Sequence, residues 1–163
     1  MGKKLLTSFV IAVVFLLSAI SPALANDTVI PVVIDIKPGS DPNPFNVKSK
    51  GKIAVALLGT AELDVMTVDP ESLVLVNPEY AFPAGPSVSP LRCSLEDSNE
   101  DGILDIVVLY NKEDLRPLTV TKVPHGYEMA IGMRGNLKAE YTRDPIYGED
   151  IIVVLNKMYD EEE

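Results

Sequence analysis

The sequence predicts an all-β protein: an antiparallel β-sandwich of about seven or eight strands behind an N-terminal signal peptide. Three observations predict it. Short runs rich in Val, Ile and Leu recur along the chain, separated by Pro, Gly, Asn and Asp. No stretch carries an amphipathic helical period over about ten or more residues. The first segment is laid out as an export signal.

That signal comes first in chain order. Lys3 and Lys4 supply a positive start, Leu5 to Ile20 is nearly all apolar, and Ala23-Leu24-Ala25 has the small-x-small pattern of a signal peptidase site. The apolar run is shorter than the roughly 20 residues of a membrane-spanning helix. No second such run follows it. The domain reading is therefore a signal peptide over 1–25, a sandwich over 26–158 and an acidic, disordered tail over 159–163. A secreted, extracellular or cell-surface location is expected, periplasmic in a diderm host, with no membrane span once the signal is cleaved.

Of the 163 residues, about 138 would remain after cleavage, one domain's worth of core. No acidic residue precedes Asn26, so losing Lys3 and Lys4 takes the formal net charge from −10 to −12. That balance opposes nucleic acid, whose phosphates need Lys and Arg, and opposes an anionic membrane surface. It suits cation binding. Cys93, the single cysteine, has no internal disulfide partner and is expected as a buried, inert thiol in the strand Leu91–Leu95.

The strands follow in order. Val29–Ile36 is rich in Val and Ile and stops at Lys37-Pro38-Gly39-Ser40, where Pro then Gly suits a type II turn. Asp41-Pro42-Asn43-Pro44 reads as an irregular connection, because each proline pushes its predecessor towards extended geometry. Ile53–Leu58 is the second strand; Glu62–Thr67 is a helical turn or a loop; Leu73–Val76 is the third strand. Asn77–Pro90, with four prolines and Gly85, is a long excursion without regular structure. Strands resume at Leu91–Leu95, Ile103–Tyr110, Leu118–Val123, Tyr127–Arg134 and Ile151–Leu155, with a polar connection over Asn136–Tyr147.

The chemistry concentrates in Asp97-Ser98-Asn99-Glu100-Asp101-Gly102-Ile103-Leu104-Asp105. Oxygen-bearing side chains stand at positions 1, 3, 5 and 9, with Gly at position 6. Ca²⁺ takes six to eight oxygens, and alternate residues of a tight loop can converge on it. Gly102 permits the turn that would let the carbonyl of Ile103 join Asp97, Asn99, Asp101 and Asp105. Glu96, Glu100 and Asp114 are further candidate ligands. An EF-hand is excluded twice over, by Val108 at position 12 and by the strand-like Ile106–Leu109 where a helix should exit. Mg²⁺ prefers stricter octahedra, and Zn²⁺ would want His or Cys in the loop. Composition alone would equally suit a plain acidic turn; the spacing is what points to Ca²⁺.

Two resemblances attach to these residues. Asp-x-Asn-x-Asp-Gly-x-x-Asp before an apolar strand resembles the calcium hairpins of integrin-type β-propellers and of dockerins; the single copy here argues against a propeller. A longer one runs through Val33-Ile34-Asp35-Ile36-Lys37-Pro38-Gly39-Ser40, Lys50 to Thr60, Val68-Asp69-Pro70, the loop, and Tyr147-Gly148-Glu149-Asp150-Ile151-Ile152-Val153-Val154. It is similar to an uncharacterised β-sandwich module of secreted bacterial and archaeal proteins, often found beside surface-anchoring or calcium-loop domains. The resemblance implies export, an all-β fold and a loop metal, and no catalytic activity. This chain lacks the histidine that many members carry shortly before the loop.

Enzyme chemistry finds little purchase. His125, the sole histidine, sits in the turn Val123-Pro124-His125-Gly126-Tyr127, and no nucleophile elbow or phosphate-cradling glycine motif is present. Acids are plentiful, and a glycosidase pair would show itself only in space. Two non-catalytic readings remain. One is a structural or adhesion module of the cell envelope, binding Ca²⁺ and an envelope protein or glycan. The other is a carbohydrate- or ligand-binding module using the 77–90 loop through Tyr80 and Phe82.

Overall fold

The computed structural model describes residues 28–80, 85–119 and 123–156. The signal peptide, Phe82 and the acidic tail lie outside them. The expected sandwich is present as two facing sheets. In chain order the strands are β1 (Ile30–Pro31), β2 (Ile34–Ile36), β3 (Pro44–Asn46), β4 (Lys52–Leu57), β5 (Val74–Val76), β6 (Ser87–Val88), β7 (Arg92–Glu96), β8 (Asp105–Asn111), β9 (Tyr127–Asn136) and β10 (Pro145–Leu155). One sheet runs β1-β10-β9-β5-β6, with β3 also on β10; the other runs β2-β4-β8-β7.

Alternation along the strands builds the core. In β9, Met129, Ile131 and Met133 face inward while Arg134 stays half-exposed; Ile146, Ile152 and Val154 of β10 and Leu75 of β5 join them. Ile36, Val55, Leu57, Val108 and Tyr110 meet them from the four-stranded sheet. Buried apolar area of this kind is the main term holding the sheets together.

The first strand is divided where a single one was expected. Val32 donates its N–H to the Tyr147 carbonyl at 2.9 Å, and two residues later the chain pairs with β4 in the opposite sheet, Ile34 opposite Leu57. It returns as β3, so β1 and β3 both run parallel to β10 at opposite ends of that long strand. Asp150 fills the gap between them. Its Oδ2 accepts the Ile36 N–H at 2.8 Å and the Asn43 Nδ2 at 3.0 Å. Gly148 makes the exit possible, because a Cβ there would collide with the Val32 carbonyl oxygen.

Other expectations are corrected or refined. The Asp41–Pro44 connection is not wholly irregular: the Val153 N–H reaches the Asn43 carbonyl at 2.9 Å and Pro44 opens β3. Leu118 does not open a strand but closes the 3-10 turn Arg116–Leu118, whose Leu118 N–H bonds Leu115 at 2.9 Å. β10 begins at Pro145, inside the expected connection, since Pro145 pairs with Asn136 across β9. The turn at Pro38-Gly39 forms as expected, Gly39 having φ of 82° and Ser40 donating to the Lys37 carbonyl at 2.9 Å. Cys93 is half-buried, its Sγ directed to the Pro70 carbonyl, and burial followed by the Glu71 charge pushes its thiol pKa up. His125 lies exposed in its turn.

Candidate functional site

The hairpin loop sits between Glu96 and Asp105, which pair across β7 and β8. Its conformation is set by side chains folding back on their own backbone. Asp97 Oδ1 accepts the Asp101 N–H at 3.1 Å, and Asp97 Oδ2 accepts the Gly102 N–H at 3.0 Å. Asn99 Oδ1 shares the Asp101 N–H at 3.1 Å, while Asn99 Nδ2 donates to Asp101 Oδ2 at 2.9 Å. Asp101 Oδ1 accepts the Ile103 N–H at 2.8 Å. Glu100 and Gly102 take φ of 61° and 87°, so the chain coils tightly enough to close this ring. Positions 1, 3 and 5 are thus brought together at an exposed tip.

Asp105 stands apart from that ring. It is fully buried at the base of the loop. Its Oδ1 accepts the Gly59 N–H at 2.9 Å, and its Oδ2 accepts the Ser98 N–H at 2.8 Å and the Ser98 hydroxyl at 2.6 Å. Three donors on one carboxylate make its burial tolerable. Its Oδ2 has no lone pair left, so the role visible here is to pin the loop to the sandwich. Gly59 is the seat: a Cβ on it would collide with the Leu104 carbonyl oxygen and lie 2.8 Å from Ile103 Cγ2.

Among the further candidates, Glu96 is exposed beside the loop and accepts the Ser94 hydroxyl at 2.6 Å, and Glu100 is exposed within the loop. Asp114 is remote. It follows the other end of β8, about 20 Å of strand away, where it accepts Asn111 Nδ2 at 3.0 Å. Ser98 and Gly59 were not legible in the sequence as partners of Asp105, since Ser98 stood between two candidate ligands of the loop and Gly59 signalled only the end of an apolar strand.

The donor set of the ring is chemically suited to a hard cation: two carboxylates and one amide oxygen, each with lone-pair capacity beyond its N–H bond. Among the described residues no three His, Cys, Asp or Glu side chains gather as a metal cluster. An ion at this tip would therefore draw on Asp97, Asn99 and Asp101, with main-chain carbonyl and water oxygens completing the shell.

A second feature lies on the outer face of the six-stranded sheet. An open groove of about 770 Å³ runs across it. Register places Val74, Arg134 and Tyr147 in one row of outward side chains, and Val76, Gly132 and Glu149 in the next. Tyr147 lies over Gly132, where a Cβ would come within 2.6 Å of its hydroxyl. That hydroxyl donates to Glu149 Oε1 at 2.6 Å; burial and this hydrogen bond push the Tyr147 pKa up. Pro78, Tyr80 and Pro86 wall one side. Tyr80, singled out from the sequence, is thus at the groove, whereas Phe82 lies outside the described residues.

No helix among the described residues is long and apolar enough to cross a membrane. No protein-family profile matches the chain, and no curated protein does. Among solved structures the chain is similar to AggA, the major subunit of aggregative adherence fimbriae type I of Escherichia coli, at 10% identity. That alignment covers 77% of this chain and 94% of AggA with a TM-score of 0.32, a likeness too slight to carry an argument about function.

Proposed function

We propose that the chain is an exported, non-catalytic module of the cell envelope, a structural or adhesion domain that holds one Ca²⁺ at the 97–105 hairpin. The observation that carries this reading is the ring in which Asp97 accepts from Asp101 and Gly102 while Asn99 and Asp101 fold onto the same turn. Like-charged Asp97 and Asp101 on one exposed tip repel each other, and a divalent ion converts that repulsion into attraction.

With no acid at position 12, the site belongs with the weak extracellular modules, with a dissociation constant on the order of 0.1–1 mM. Calcium at ten times that constant would stabilise the fold by about 1.4 kcal/mol. Such an ion stiffens a loop and does not switch a conformation. The test is calorimetry in Ca²⁺, Mg²⁺ and EDTA, on the protein and on Asp101→Ala. A calcium-specific rise in melting temperature, absent in the variant, is expected. Equal melting in calcium and EDTA would sink the reading.

A further inference from the structure

We infer that the groove on the outer face of the six-stranded sheet is a binding site for a neutral saccharide, seated between Tyr80 and Tyr147. This site does not involve the calcium loop, which joins β7 and β8 of the other sheet.

The floor argues against the commoner occupants of such a face. Its strands are already paired on both sides: β9 lies between β10 and β5, and β5 between β9 and β6, while β10 has β9 on one side and β1 and β3 on the other. An extended peptide lying on these three strands would find no backbone edge to pair with, the outer strands of the sheet being β1, β3 and β6, and peptide recognition on sheets relies on such an edge. A purely apolar ligand would strip water from Arg134 and Glu149 without replacing the hydrogen bonds. An anionic ligand would meet a chain of formal net charge −10.

A sugar ring answers each of these features. Its C–H face can lie on tyrosine rings and on Val74 and Val76. Its hydroxyls both donate and accept, so they can donate to the exposed Glu149 carboxylate, which only accepts. Glu149 is held in place through one oxygen by the Tyr147 hydroxyl at 2.6 Å, leaving its second oxygen for a ligand. Arg134 and Glu149 together carry no net charge, which matches a neutral ligand. The volume, about 770 Å³, lies within the range of small-molecule sites.

The test is an array of neutral glycans, with calorimetry on the strongest binder. Tyr80 is exposed in a loop and Glu149 is exposed on the sheet, so Tyr80→Ala and Glu149→Gln should melt like the parent. Each should weaken binding by at least about tenfold. An array with no neutral binder overturns the inference. So does a hit that both folded variants bind unchanged, or a preference for acidic glycans or for a peptide over every neutral sugar.

Discussion

Asp105 Oδ1 accepts the Gly59 backbone N–H at 2.9 Å across 46 positions of sequence. A buried carboxylate at the first residue of β8 thereby holds the end of the β4 segment, and its other oxygen holds Ser98 inside the loop. The loop is fastened at its base by a residue whose spacing suggested a ligand at its tip.

Replacing Asp105 with Ala should be among the costliest single changes outside the apolar core. It strands the N–H groups of Gly59 and Ser98 and the Ser98 hydroxyl. A loss of about 3 kcal/mol is expected. Ser98→Ala keeps both backbone bonds and should cost about 1 kcal/mol. Urea unfolding of the two variants checks the order; equal losses would mean that the carboxylate is not the hub.

Gly59→Ala tests whether the loop must sit tightly on the sandwich. The added methyl meets the Leu104 backbone, which cannot swing aside as a flexible side chain would. Destabilisation of about 1–3 kcal/mol is expected. Because the displaced segment carries Ile103 and Leu104, the rise in melting temperature proposed for calcium should shrink as well. Parent-like melting with an intact calcium response would show that the contact relaxes freely.

Much of the fold was legible because its strands are local patterns. Ile53–Leu58, Leu73–Val76, Leu91–Leu95 and Tyr127–Arg134 announce themselves by apolar content and the turns that flank them, and β4, β5, β7 and β9 lie there. What was illegible is non-local. Val29–Ile36 reads as one strand, since nothing within it says that Val32 will bond Tyr147 while Ile34 pairs with Leu57. The start of β10 at Pro145 depends on partners nine or more positions back in β9, and Gly148 reveals its purpose only when the Val32 carbonyl is beside it. The site divides the same way. The Asp97, Asn99 and Asp101 ring follows from spacing within one turn, whereas the inward rotation of Asp105 depends on Gly59, far away in the chain.

Asp150→Ala should loosen the crossing of the first strand between sheets. It removes the acceptor of the Ile36 N–H and of Asn43 Nδ2. A cost of about 1–3 kcal/mol is expected. Hydrogen exchange should be accelerated most at the Ile36 amide, with β9 amides following only the global loss. Uniform acceleration throughout would indicate general destabilisation and no local fastening.

Asp35 supplies a pH signature at the same crossing. Burial, then the charges of Asp150 and Asp41, raise its pKa above the ordinary carboxylate value. The folded state therefore holds the Asp35 proton more tightly than the unfolded chain does. The favourable contribution is complete below the unfolded value near pH 4 and disappears as pH climbs through the raised folded value. At neutral pH the ionised group weighs against folding. Asp35→Asn should accordingly raise the melting temperature at pH 7, with the gain fading on acidification to about pH 3.5. A gain that persisted undiminished in acid would trace to packing of the amide, and a loss at pH 7 would show that the ionised Asp35 is needed there.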